Sequence, residues 1–210
     1  MSKGKALKVI SIKNEETEFW FLQKHYAKRM PQIMYAFGLY EESSLVGVIT
    51  YGIPASPSLC MGICGKEYSD KVLELNRVCL ETNEKNQASF LVANSIKLLP
   101  KPTIVVSYAD TAQGHIGYVY QATNFLFTGT TKERTDMAGE DGKHSRHNNG
   151  DAENRVFRSS KHRYIFFHGT KNDKKALTSK LNYPVLPYPK GESKKYDSGG
   201  IVNKQEVLFL

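Results

Sequence analysis

One arginine stands inside an apolar segment, where a charged side chain needs a reason to be. Arg77 interrupts the strand-like run Val72 to Leu80. A buried guanidinium is costly unless it is paired or meets an anion. Arg77 is therefore a candidate contact for a donor, a phosphate or a carboxylate. The alternative is an arginine at a sheet edge that is paired with Glu74 or Glu81.

A carboxylate and a histidine follow the next apolar run. Asp110 comes directly after the segment Thr103 to Ala109, and His115 lies five residues later. Ligands bind at the carboxyl ends of strands in open α/β sheets, and a carboxylate there could orient or deprotonate an attacking amine. Asp is also a preferred helix N-cap, and the spacing leaves both interpretations open. His115 could act as a base or anchor a phosphate, although a lone histidine is more often structural.

The charge of the chain indicates an anionic partner. The formal net charge is +8 and the pI is about 9.2, with most of the excess after residue 100. Such a field attracts polyanions, although a solvated basic surface would have the same composition. The densest tract contains Lys143, Arg146, Arg155, Arg158, Lys161 and Arg163. Clustered cations of this kind suit contacts with the phosphates of nucleic acid.

The elements that must position these residues alternate between strands and helices. Hydrophobic periodicity predicts strands at 6–12, 34–40, 44–51, 72–80, 103–109 and 125–130, and helices at 16–26, 86–99 and 114–123. A proline-containing loop is expected between 52 and 72. This order predicts an α/β fold with a mixed twisted sheet flanked by helices.

The composition changes after Thr131. Residues 132–156 are polar, charged and rich in glycine, which predicts a flexible loop. A short strand is expected at 164–167, followed by an extended basic segment with several prolines. The predicted organisation is a core at 1–131, the loop at 132–156, and a C-terminal strand and basic extension at 157–210 packed on that core.

The order of elements resembles the GNAT acyltransferase fold, with a local similarity in Tyr118-Val-Tyr120-Gln121-Ala-Thr-Asn124-Phe125. Members of that superfamily bind the pyrophosphate of acetyl-CoA with a glycine-rich loop at a helix N-terminus. The corresponding stretch, 83–89, has no glycine. Lys85, Asn86 and Ser89 are the candidates there to bind a donor. The resemblance thus leaves the acyl-type donor open between acetyl-CoA, an aminoacyl-tRNA and another acyl carrier.

An ordered set of motifs over about residues 34 to 190 resembles the Mom-type family of phage DNA modification proteins. The motifs are Leu45-Val-Gly47-Val-Ile-Thr50-Tyr51-Gly52-Ile-Pro54, Leu73-Glu74-Leu75-Asn76-Arg77, Asn86-Gln-Ala-Ser89-Phe90, Ser107-Tyr108-Ala109-Asp110, Gly114-His115-Ile-Gly117, His162-Arg163-Tyr164 and Pro187-Tyr188-Pro189-Lys190. The resemblance implies carbamoylmethylation of the exocyclic N6 amine of adenine in double-stranded DNA, which protects phage DNA from restriction. Its matched polar positions, Tyr51, Arg77, Ser89 and Asp110, form the candidate active-site set.

Residue type and position suggest specific roles for three side chains, one of which, Tyr51, already belongs to this set. The amine of a paired adenine lies inside the stack, so the base must be extruded. Tyr51 could stack on the extruded base, Tyr120 could protonate a leaving group, and the Asn124 amide could read the adenine edge. Each of the three also has an ordinary packing interpretation.

Other functions remain open from the sequence alone. A GNAT-type acetyltransferase for a protein or small-molecule amine is one alternative, and a non-enzymatic DNA-binding phage protein is another. Three cysteines and no apolar run near ~20 residues predict a cytosolic protein without membrane contact. The resemblance implies that it is phage- or prophage-encoded and acts in the bacterial cytoplasm. Cys60, Cys64, His144 and His147 do not form a zinc pattern. No metal site is predicted, and a requirement for iron is left open.

Overall fold

The computed structural model describes residues 6–82, 84–137, 154–191 and 207–209. The strands in this part of the chain are β1 Leu7–Ser11, β2 Tyr35–Glu41, β3 Ser44–Gly52, β4 Val72–Leu80, β5 Thr103–Asp110, β6 Leu126–Thr130, β7 Arg134–Met137, β8 Asn154–Arg158, β9 Lys161–His168 and β10 Val207–Phe209. The α-helices are α1 Pro57–Cys64, α2 Gln87–Lys97, α3 Tyr118–Ala122 and α4 Lys171–Ser179. No helix of the described ranges is long and apolar enough to cross a bilayer.

Seven strands form one mixed sheet in the order β1-β2-β3-β4-β5-β9-β6. All neighbours are antiparallel except β4 and β5, which are parallel. The helix α2 packs its buried face on one side of the sheet, and α1 and α4 cover the other. The predicted mixed sheet flanked by helices is therefore confirmed.

The parallel pair β4 and β5 stays together only at its beginning. The last paired residues are Glu74 and Val106, although β4 continues to Leu80 and β5 to Asp110. Beyond this point the Ser107 hydroxyl donates a hydrogen bond to the Leu75 carbonyl. Because backbone pairing stops at Glu74 and Val106, the two strands diverge toward their carboxyl ends. A cleft lies between those ends.

A β-bulge in β4 determines which face Arg77 occupies. Thr50 of β3 pairs with Arg77, but the next residue, Tyr51, pairs with Leu75, so Asn76 is the extra residue. Leu75 belongs to the core under α2. Strict alternation would place Arg77 on that same face. The bulge turns it to the opposite face, which Glu74 shares.

The strand β9 is longer and more central than the sequence predicts. It pairs with β5 along its whole length and with β6 on its other side. Tyr164 is buried in the core under α2, whereas Ile165 and Phe167 are buried under α1 and α4. Residues 161–168 therefore complete the core sheet and are not an extension packed on it. The first residues of the strand are basic, so the hydrophobic pattern predicted only its apolar part, 164–167.

Two helices lie where the sequence predicts irregular structure. The helix α1 occupies part of the expected proline loop, because Ser56 accepts a hydrogen bond from the Leu59 amide and Pro57 suits a first helical turn. The helix α4 begins with a capping box between Thr170 and Asp173. Both departures have short local signals that the composition of the segments obscured.

Two other predicted segments also differ. The expected helix at 16–26 is two short turns, Asn14–Thr17 and Trp20–Lys24. The expected loop at 132–156 contributes β7 and the start of β8, which form a three-stranded sheet with β10. The rest of that predicted loop lies outside the described residues.

The capping box of α4 should contribute measurably to stability. Thr170→Ala removes the hydroxyl that accepts from the Asp173 amide, and Leu177 of the same helix is buried in the core. We expect the free energy of unfolding to fall by about 1 kcal/mol in urea denaturation. Thr178→Ala, an exposed change on the same helix, is the control and should cause little loss. Equal effects of both changes would contradict the capping role.

Candidate active site

The cleft between the diverging ends of β4 and β5 has a volume of about 1010 Å³. The N-terminus of α2, the start of α3 and residues 25–29 contribute to its walls. Seven cationic side chains and two carboxylates line it; the cations are Arg29, Arg77, Lys85, Lys132, Arg134, Arg158 and Lys161, and the carboxylates are Glu74 and Glu84. The cleft is thus suited to an anionic ligand.

Arg77 enters this cleft without a carboxylate partner in the described part of the chain. Its Nη1 donates to the Asn76 carbonyl at 2.6 Å, and its Nε is buried with no hydrogen-bond partner. Glu81, one alternative partner, forms an ion pair with Lys24 instead. Burial lowers the pKa of Arg77, and Glu74 partly opposes this effect without an ion pair. An incompletely satisfied guanidinium in a cleft is a site for an anion.

Glu74 is the acidic counterpart of Arg77 on the same face of β4. Burial raises the pKa of its carboxyl, while the charges of Arg77 and Lys161 act in the opposite direction. No hydrogen bond to this carboxyl is present within the described residues. A carboxylate in this environment can accept a proton more readily than an ordinary glutamate. Sequence reasoning treated Glu74 only as a partner for Arg77, because the bulge that brings both to one face is not visible in the pattern.

An aromatic wall faces Arg77. Tyr26 stacks on His25 with ring centroids 4.4 Å apart and meets His115 edge to face at 6.3 Å. Burial lowers the pKa of His25 to about 3, with help from the charge of Arg77. His115 therefore lies in the predicted site. Tyr26 and His25 were missed, because they belong to the segment predicted as a helix.

Tyr120 lines the opposite part of the cleft, as the sequence predicts. Burial raises its pKa to about 12, against a hydrogen bond with Ser107 that lowers it. Its ring lies 5.4 Å from Phe125 and 5.3 Å from Tyr164, measured between centroids. The packed ring holds a hydroxyl that stays protonated at neutral pH and can donate a proton.

Asp110 is a buried carboxylate whose two oxygens are already engaged. Its Oδ1 accepts from Ser159 Oγ at 2.5 Å and from the Ala112 amide at 3.1 Å, and Oδ2 accepts from Lys161 Nζ at 3.0 Å. Burial opposes its ionisation, but the Ser159 hydrogen bond and the Lys161 charge lower its pKa. Asp110 caps the turn at Ala112 and positions Lys161. These contacts make it a poor base, in contrast to Glu74.

The N-terminus of α2 brings Lys85, Asn86 and Ser89 to the cleft, as expected for a donor-binding segment. Asn86 has a φ of 70°, a left-handed conformation that favours glycine and that asparagine tolerates. Ser89 donates its hydroxyl to the Asn86 carbonyl at 3.0 Å. The N-terminal turn of this 11-residue helix therefore lies at the cleft.

Two predicted site residues are placed elsewhere. Tyr51 is 0% exposed, donates to or accepts from Ser95 Oγ at 2.7 Å, and packs on Phe37. It belongs to the core under α2 and cannot stack on an extruded base in this structure. Asn124 is exposed and has a φ of 60°, so it forms the turn between α3 and β6 outside the cleft.

Two residues of the predicted basic tract line the cleft within the described part of the chain. Arg158 and Lys161 line it, together with Lys132 and Arg134, which sequence reasoning missed. Arg163 instead donates to Thr128 Oγ1 and to the Thr128 carbonyl, both at 2.9 Å, and lies 3.5 Å from the centre of the Tyr183 ring. Those contacts make Arg163 a structural residue.

The side chains of the other three tract residues lie outside the described part of the chain. The backbone of Arg155 lies in β8. Lys143 and Arg146 lie outside the described residues. Within the described ranges, no group of three or more His, Cys, Asp and Glu side chains is arranged to hold a metal ion. All three cysteines, Cys60, Cys64 and Cys79, are buried as free thiols.

Comparison with known proteins identifies relatives over most of the chain. The model of the Mom protein family matches residues 6–190. The methylcarbamoylase mom of Escherichia phage Mu is 30% identical over 189 residues, which cover 80% of this chain and 77% of that protein. A Staphylococcus aureus N-acetyltransferase aligns with a TM-score of 0.46 at 14% identity, over 77% of this chain and 98% of that one. A Drosophila melanogaster polyamine N-acetyltransferase aligns with a TM-score of 0.46 at 12% identity, over 78% and 100%.

The unpaired state of Arg77 predicts an unusual stability result. Arg77→Met removes a buried guanidinium whose Nε has no partner. We expect the free energy of unfolding to stay constant or to rise by up to about 1 kcal/mol. Lys161→Met should instead lower it, because Asp110 loses its ion pair. Urea denaturation of both variants tests this. A loss for Arg77→Met as large as that for Lys161→Met would show that Arg77 stabilises the fold.

Proposed function

The chain belongs to the Mom protein family, and we propose that it is a phage DNA-modifying transferase. In this proposal it attaches a carbamoylmethyl group to the exocyclic N6 amine of adenine in duplex DNA and so protects that DNA from restriction. The name of the phage Mu relative, a methylcarbamoylase, supports the group transferred. The observation that carries the proposal is the cationic cleft, in which the Nε of Arg77 has no hydrogen-bond partner and burial raises the pKa of Glu74.

The cations explain how the substrate is held. Lys132, Arg134, Arg158 and Lys161 line the cleft near the end of β5. Contacts from such side chains to DNA phosphates are independent of sequence and hold the duplex over the cleft. The target base must leave the stack, at a cost of a few kcal/mol. The phosphate contacts offset that cost.

The cleft also contains a surface for the extruded ring. Tyr26 and His115 form an aromatic wall beside Arg77, and aromatic side chains commonly stack on flipped bases. This role replaces the one predicted for Tyr51, which lies in the core. The adenine amine then faces the space between Glu74 on β4 and Tyr120 on α3.

The transfer step needs a proton acceptor and a proton donor. The N6 nitrogen attacks the donor carbon that becomes the CH2 of the carbamoylmethyl group, so a C–N bond forms while the bond from that carbon to the leaving group breaks. Glu74 accepts the proton that the amine loses. The leaving group retains the electron pair of its bond and takes a proton from Tyr120. Arg77 stabilises the negative charge that develops during the step.

The donor in this proposal is an acyl-type compound with an anionic group at the N-terminus of α2. The left-handed Asn86 gives the backbone there a conformation that glycine usually provides. Lys85 supplies a positive charge, and the helix dipole adds to it. Acetyl-CoA, an aminoacyl-tRNA and other acyl carriers all bring an anionic group to this position. Direct acyl transfer from them would form an amide at N6, so a carbamoylmethyl product requires a donor that supplies both the methylene carbon and the amide nitrogen.

Nucleoside mass spectrometry tests the proposed activity directly. DNA from cells that express the wild-type chain should contain a modified deoxyadenosine, whose mass gives the composition of the group transferred and whose fragmentation separates its isomers. Arg77→Met should abolish this product and still bind duplex DNA through the other cations. Lys71→Met, outside the cleft and beside Asp70, is the charge-matched control and should retain the product. Unmodified DNA from wild-type cells with soluble protein would contradict the proposal. Binding without product in every sample would indicate a DNA-binding protein.

The role of Glu74 predicts the acid side of the pH profile. A base works only when ionised, and the pKa of Glu74 is raised by burial. We therefore expect kcat/KM to fall with decreasing pH at a value above the ~4.3 of an ordinary glutamate. Glu74→Gln should lower the rate by about 10²–10⁴-fold and remove that limb. Glu67→Gln, at an exposed ion pair with Lys180, should keep the wild-type profile. An unchanged profile in Glu74→Gln would exclude Glu74 as the base.

A further inference from the structure

We propose that a second groove, adjacent to the candidate active site, binds a phosphate ester. This α2 groove lies beside α2 and is closed by the turn after α3, by β9 and by the start of α4. Its volume is about 660 Å³, and its side chains include Lys97, Lys101, Lys174, Phe166 and His168. Nothing in the proposed transfer step uses these residues.

The charge of the α2 groove is positive. Three lysines line it, and no aspartate or glutamate is among its lining residues. The carboxylate of Asp173 lies close enough to Lys101 to interact with its charge. That carboxylate is already held by the Thr170 amide and hydroxyl, both at 2.7 Å. An anion in the groove would therefore meet cations without a competing free carboxylate.

A buried histidine provides an independent reason to expect a ligand. His168 is 7% exposed, and its Nε2 is buried without a hydrogen-bond partner. The backbone of Leu99 lies close enough to the ring to favour its protonation. Burial lowers the pKa of His168, and the charges of Lys101 and Lys174 lower it further. A phosphate between the lysines would reverse their effect, so its binding should be coupled to protonation of Nε2.

Two further features suit a nucleotide phosphate. Lys174 lies 5.7 Å from the centre of the Phe166 ring, which places a cation and an aromatic face together. The amides of Asn94 and Asn124 also line the groove. Asn124, which sequence reasoning assigned to adenine recognition, thus lies near a possible nucleotide even though it is outside the active-site cleft.

The α2 groove is continuous with the active-site cleft. Asn86, Ser89 and Ala122 line both. At the usual rise per residue, the 11-residue helix α2 is about 17 Å long, and the α2 groove follows it away from the cleft. A ligand that occupies both must therefore be elongated. The phosphate belongs either to the DNA strand that enters the cleft or to a phosphorylated donor, and this assignment of source rests on the proposed function.

Titration of the full chain with inorganic phosphate tests the site without reference to DNA modification. The probe is the ring-proton NMR signal of His168, assigned with His168→Gln. We expect phosphate to shift this signal toward that of protonated imidazole at a fixed pH. The double variant Lys101→Ala/Lys174→Ala should weaken binding by at least about tenfold, as loss of charged hydrogen bonds does. Lys66→Ala/Lys175→Ala, which removes the same charge outside the groove, should not.

The outcomes separate the site, its ligand source and the proposed function. An absent His168 response, or equal weakening in both double variants, would overturn the phosphate site. If the site holds, binding to duplex DNA assigns the source. Weaker DNA binding in Lys101→Ala/Lys174→Ala than in its control identifies a phosphodiester of DNA, and equal DNA binding identifies a phosphorylated donor. Either result supports the site. If the chain binds phosphate but produces no modified nucleoside, the phosphate site is supported and only the proposed function is contradicted.

Discussion

The divergence of β4 from β5 is the constraint on which the rest of the site depends. Two parallel strands that remain paired to their ends would bury Glu74 and Arg77 within a continuous sheet. Here the pairing stops at Glu74 and Val106, and the bulge at Asn76 then places Arg77 on the face of Glu74. The backbone thus creates the cleft and selects the two side chains of opposite charge that face it. The N-terminus of α2 and the ring of Tyr120 are brought to the same space by the connections that follow each strand.

The charged residues of the cleft fall into two groups with different physical roles. Both carboxylate oxygens of Asp110 accept hydrogen bonds, and its pKa is lowered, so this side chain stabilises the folded structure. Arg77 retains a buried Nε without a partner, and Glu74 retains a carboxyl with a raised pKa. Satisfied groups position a site, whereas unsatisfied ones are available to a ligand. This contrast is the reason to assign proton transfer to Glu74 and a supporting role to Asp110.

The C-terminal part of the described chain is integral to this arrangement. The strand β9 supplies Tyr164, which packs against Tyr120, and Lys161, which pairs with Asp110. The segment beyond α4 then returns to β6, where the Leu186 amide donates to the Phe127 carbonyl and the Tyr188 hydroxyl donates to the Phe125 carbonyl. The family match covers this segment as well, to residue 190.

The amino-acid sequence by itself determined the type and order of most strands, the position of α2, and family membership, which the match over residues 6–190 confirms. Those features rest on local periodicity and on ordered motifs, which are readable along the chain. It also singled out Arg77, His115 and Tyr120, which the structure brings together, and Ser89, Lys85 and Asn86 beside them. It missed α4, whose capping box is only two residues, and it placed β9 outside the core because a basic flank masked a strand buried on both faces.

Only the tertiary structure decided which polar residues share the cleft. Tyr51 and Arg77 occupy neighbouring strands, yet one is in the core and the other in the cleft, because a single extra residue at Asn76 changes the face. Glu74 shares a face with Arg77 because of that bulge. Tyr26 lines the cleft because the irregular segment before β2 brings it there. Neither feature has a periodic signature in the sequence. Side-chain period along a strand is two residues, so one insertion reverses every later side chain. A sequence pattern shows which residues can do chemistry, but the register of pairing decides which of them meet.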